Sequence, residues 1–98
     1  MKIIEIRVPH TASPEVYFHE SKSEMRKSLM EELDSKGREY PRNASLKKLM
    51  GLVDDFNLFY LISLKDAKKH SENGTLPSYQ THKKFETLKK LNDLIDSI

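Results

Sequence analysis

The chain has 98 residues, of which 37% are hydrophobic and 33% charged, with a formal net charge of +2 and no cysteine. That length allows one domain, residues 1–98, with a core lean enough that self-association would help it. The missing cysteines exclude disulfides and thiolate metal sites, and the weak charge permits nucleic-acid contact without demanding it. A charged start, Met1-Lys2-Ile3-Ile4-Glu5, does not resemble a secretory leader. No apolar run nears the roughly 18 residues that span a bilayer. The expected setting is therefore the cytoplasm, with no membrane partner. Lysine outnumbers arginine and alanine is scarce, a bias often left by AT-rich coding DNA such as that of many phages.

The first elements read as a β-hairpin, about 2–8 and 15–20. Ile4, Ile6 and Val8 alternate with Glu5 and Arg7, Pro9 ends the run, and Val16 and Phe18 then alternate with Tyr17 and His19. A register that sets Val8 by Val16 and Ile6 by Phe18 gathers one apolar face. It also sets Arg7 by Tyr17 and Glu5 by His19 on the other face, expected to be solvated. Ser21 with Glu24 has capping-box spacing and opens a helix over about 22–36 that carries Met25, Leu29 and Leu33 to a stop at Gly37.

The densest apolar stretch runs from Phe56 to Leu64. At about 100° per residue, Leu46, Leu49, Met50, Val53, Phe56, Tyr60, Leu61, Leu64 and Ala67 share one helical face. Period and length favour one long helix over about 44–70, capped by Asn43 or Ser45. The competing reading makes 56–64 a central β-strand. After a loop with a glycine stop at Gly74, a last helix over about 79–97 bears Phe85, Leu88, Leu91 and Ile95. The fold class is α+β: a hairpin followed by three helices, whose stripes all pack on the hairpin's apolar face.

On the long helix, Leu58 and Ile62 fall inside the polar face with Phe59 beside them, so these three are the candidate protein interface. The lysine pairs offer a second surface: Lys83, Lys84, Lys89 and Lys90 could follow a phosphate backbone, with Tyr79 stacking on a base. Glu5, Arg7, Tyr17 and His19 are residue types that catalyse, but alternating polar residues on a solvated sheet face produce the same set. No catalytic residue is assigned to them. His10, His19, His70 and His82 lack the spacing of a helical metal site, and no cofactor motif occurs. The expected function is a small non-catalytic binding protein, a regulator or inhibitor of another protein, of a kind phages and mobile elements encode. Its partner would be another protein, with a homodimer as one form. The alternative is a nucleic-acid-binding regulator using the lysine-rich helical faces.

Overall fold

The structure, a computed structural model, describes residues 2–9, 12–53, 58–75 and 83–98. The described elements run β1 (Ile3–Val8), β2 (Glu15–His19), α1 (Lys22–Ser35), α2 (Leu46–Val53), β3 (Leu58–Ser63), α3 (Leu64–Asn73) and α4 (Lys84–Ser97). The three strands form one antiparallel sheet in the order β2-β1-β3. The α+β class and the N-terminal hairpin hold.

The hairpin register differs from expectation by two residues. Ile6 lies opposite Val16, Ile4 opposite Phe18, Glu5 opposite Tyr17 and Arg7 opposite Glu15. A shift of two keeps every side chain on its expected face, which is why the alternation could not distinguish the two registers.

The long helix over 44–70 does not form. α2 stops at Val53, and Leu58–Ser63 is a strand. The strand reading is right in kind, but β1 is the central strand and β3 lies outside it. Two causes act together. A two-stranded hairpin is marginal in water, and β1, buried at every position, needs a ladder on both sides. Locally, the Ser63 side chain accepts the Asp66 N–H at 3.1 Å, which starts α3 immediately after the strand. α3 then ends at Gly74, whose φ of 64° is the left-handed conformation that favours glycine.

Other expected boundaries hold. The Ser21 hydroxyl accepts the Glu24 N–H at 3.1 Å and opens α1. Gly37 follows α1 with φ 67°. The Ser45 hydroxyl, rather than Asn43, accepts the Lys48 N–H at 3.2 Å and opens α2. The expected start of the last helix, including Tyr79, lies outside the described residues.

Among the described residues two cores form instead of one, separated by the sheet. On one face Ile4, Ile6, Val8 and Tyr60 pack with Ala67 of α3 and Leu91 of α4, supported by Val16, Phe18 and Ile62. On the other side Met25, Leu29 and Leu33 of α1 pack with Leu49, Met50 and Val53 of α2, and Phe59 leans on that cluster. Arg26 holds α1 to the connector through the carbonyls of Ala44 and Arg42. Lys36 and Arg38 donate to the Val53 carbonyl at 3.2 and 2.9 Å, closing the C-terminal end of α2 with positive charge.

Candidate functional site

The polar face of β1 is not solvated. Glu5 is fully buried and Arg7 nearly so, both under α1. The Arg7 Nε donates to Glu5 Oε2 at 2.5 Å, and its two Nη groups donate to the two Glu32 carboxylate oxygens at 3.1 Å each. That fork is the planar, two-point match of guanidinium to carboxylate. The Glu5 Oε1 meets His19 Nε2 at 3.0 Å, although their strand positions are diagonal rather than opposite. The Arg7 guanidinium lies over the Tyr17 ring at 4.7 Å, a cation–π contact. Lys36 reaches Glu32 from the next turn of α1 at 3.4 Å.

Electrostatics follows from this packing. Burial would raise the Glu5 pKa, but hydrogen bonds and charge from His19 and Arg7 outweigh it and hold the carboxyl below its ordinary 4.5. Glu32 is likewise drawn below 4.5: burial opposes the shift, and Arg7 and Lys36 prevail. The Arg7 guanidinium is moved up, because its two carboxylates overcome the cost of burial. Burial and the hydrogen bond to Glu15 push the Tyr17 hydroxyl up to about 12. A cleft of about 280 Å³ opens beside this group, walled by Arg7, Tyr17, Glu15, Lys36 and Val53.

Chemically, the network is occupied with itself. Arg7 is matched by two carboxylates, Glu5 by Arg7 and His19, and Glu32 by Arg7 and Lys36. It can hold β1, β2 and α1 together and fix the ring of Tyr17. Among the described residues, no group of three or more His, Asp or Glu side chains could hold a metal.

The expected interface residues do not share a surface. Ile62 points into the core beneath α3 and α4, whereas Phe59 faces the opposite side of the sheet and packs on the α1–α2 cluster. The Leu58 side chain lies outside the described residues. The polar helical face that grouped them is replaced by strand alternation.

The lysines also divide. Lys83 donates to the Pro9 carbonyl at 2.7 Å and to the Ala12 carbonyl, and Lys90 donates to the Pro14 carbonyl at 2.5 Å. Both fasten the β1–β2 connection to α4. Lys84 is half-buried and Lys89 exposed.

Leu61, expected on the apolar face of the long helix, is 38% exposed on β3, and a second misplaced surface residue is Phe85, expected in the core stripe of the last helix. It is 87% exposed. The helix buries Thr87 and Leu91 instead, and the Thr87 hydroxyl is satisfied by the Lys83 carbonyl at 2.9 Å. Nothing in the spacing distinguished Thr87 from Phe85, since a polar residue at a core position is readable only once its local acceptor is known.

Among the described residues no helix is long and apolar enough to cross a membrane. Comparison with protein-family models, with curated proteins and with solved structures gave no match. The class defined by fold and site is thus an α+β protein with a three-stranded antiparallel sheet and helices on both faces.

Proposed function

We propose that this chain is a non-catalytic binding protein that docks on another protein, as a regulator or inhibitor of it. The observation that carries the reading is Phe85, 87% exposed on the outer side of α4. Burying a phenylalanine is worth roughly 1.5–3 kcal/mol, which the chain forgoes on its own and a partner would recover. Leu88, half-buried one turn on, and the stem of exposed Lys89 widen the contact. The self-matched charges beneath α1 support a binding role over proton transfer.

The test is a photo-reactive phenylalanine analogue at position 85 in the cells that make the protein, with the same group at exposed Lys65 as control. A discrete adduct with a second polypeptide from position 85, absent from position 65, is the expected result. Equal or no adducts from both positions would overturn the reading. The nucleic-acid alternative now rests on Lys84 and Lys89, and it predicts affinity for random DNA or RNA that falls steeply with salt.

A further inference from the structure

Among the described residues no strand pairs with the outer edge of β2, and its residues are complementary to themselves. The Leu64 N–H donates to the Lys2 carbonyl at 3.1 Å, so the peptide groups of Lys2 point toward β3. Alternation along β1 turns those of Ile4, Ile6 and Val8 the same way, and those of Ile3, Glu5 and Arg7 toward β2. The residues facing Ile3, Glu5 and Arg7 are His19, Tyr17 and Glu15. The N–H and C=O of Val16 and Phe18 therefore point away from the sheet. No hydrogen bond to them occurs among the described residues.

Sheet proteins usually blunt such edges with lysine, proline or a bulge. The middle of β2 is Val16-Tyr17-Phe18, with no charge and no proline. Apart from the Tyr17 hydroxyl, its titratable groups are Glu15 at one end and His19 at the other.

We propose that β2 pairs with β2 of a second copy of this chain, antiparallel and about a twofold axis at Tyr17, to make a continuous six-stranded sheet. Val16 then exchanges two hydrogen bonds with the partner's Phe18, and Phe18 does the same with the partner's Val16. These four side chains lie together on the α4 face. On the α1 face, Tyr17 meets the partner's Tyr17, and each Glu15 carboxylate comes opposite the partner's His19. The alternative register, one residue out, would set apolar side chains against polar ones.

The flanks are complementary as well. A cleft of about 440 Å³ lies between β2 and α4, lined by Val16, Tyr17, Leu94, Lys90 and Asp93. The twofold brings Lys90 and Asp93 toward the partner's Asp93 and Lys90 and closes the cleft from above. A chain this small, with a lean core, gains apolar burial from the pairing. Tyr17 is a half-open ring already held flat by Arg7, so it loses little freedom on contact. This surface is separate from Phe85, and a Phe85→Ser chain should dimerise as the parent does.

Three measurements on the full chain test the pairing. Light scattering over a concentration series should show mass rising from monomer to dimer. Val16→Pro removes only an outward N–H, at an edge position that tolerates proline. It should weaken dimerisation about thirtyfold, one hydrogen bond being lost per copy. If that variant unfolds, the unmodified protein still decides: amide exchange at Val16 and Phe18 should become protected as concentration rises. Tyr17→Cys, the sole thiol in the chain, should cross-link to itself under mild oxidation, because residues opposed across such a pair sit about 4.5 Å apart at Cα. Lys65→Cys should not. A monomeric mass at every concentration, or a dimer in which the Val16 and Phe18 amides exchange freely, overturns the proposal.

Discussion

On one face of the sheet, Ile4, Ile6 and Val8 meet α3 and α4 through carbon alone. On the other, Glu5 and Arg7 are as deeply buried, but they meet α1 through a chain of charge that runs from His19 to Lys36. The same strand contributes to both. An apolar face is held by area, so its energy is spread over many weak contacts and changes gradually with each methyl group. A buried charged face is held by matching, so it is indifferent to small changes of shape and intolerant of losing one partner. The charged face also specifies geometry: a guanidinium fork engaging Glu32 fixes how α1 lies across the strands, which a greasy contact would leave to packing.

The largest expected effect follows from removing one member of the match. Arg7→Met keeps much of the side-chain volume but leaves the fully buried Glu5 carboxylate with His19 alone. A loss of about 3–5 kcal/mol is expected in urea unfolding. Replacing both, Arg7→Met with Glu5→Leu, should recover most of that loss, because no unpaired charge then stays buried; Glu32, half-exposed, can turn to water. If the double variant is no more stable than the single one, the charged face is held by something other than charge matching.

The next effect is on pH. Glu5 and Glu32 both lie below their ordinary 4.5 in the folded chain. Groups with depressed folded pKa values stabilise the protein fully above their unfolded values, and that stability is lost as pH falls through the folded values. The parent should thus hold constant stability down to about pH 4.5 and lose it progressively below. In Arg7→Met the burial of Glu5 is no longer opposed by the guanidinium, so its folded pKa moves up toward or past the unfolded value. The acid loss should then shrink, the variant losing less stability than the parent between neutral pH and acid. Unfolding midpoints measured from about pH 3 to pH 7 decide this; identical acid limbs for parent and variant would contradict it.

Much of this architecture was legible. Alternation gave both strands of the hairpin and the face of every residue in them, and Ser21 with Gly37 gave α1. What alternation cannot carry is register, because a two-residue slip preserves faces, and the hairpin sits two residues from the expected pairing. The third strand was obscured by coincidence. Leu49, Val53, Phe56, Tyr60 and Leu64 satisfy a helical period, yet Leu58–Ser63 is also a short run that is apolar on nearly every residue, as a strand can be, although Leu61 within it stays exposed. One local signal could have decided it: Ser63 and Asp66 repeat the spacing of Ser21 and Glu24, and both serines cap a helix. The charged site was legible as a set of residues on one face. Its burial was not, because that depends on Glu32, 25 residues from Arg7 in sequence. A carboxylate at that distance looks like any other on a helix until the helix is placed.

The smallest effect sharpens the contrast from the apolar side. Ile6 is fully buried opposite Val16 and Tyr60, on the face of β1 away from Glu5 and Arg7. Ile6→Val removes one methylene and should cost about 0.5–1.5 kcal/mol. Because that loss is transfer and packing alone, it should be the same from about pH 3 to pH 7, displacing the whole stability profile without moving its acid limb. Arg7→Met should move the limb as well as the plateau. If Ile6→Val also shifted the acid limb, the two faces would be coupled through β1 and could not be treated as separate sources of stability. A uniform displacement means that one strand carries two independent packing solutions, one for each row of its side chains.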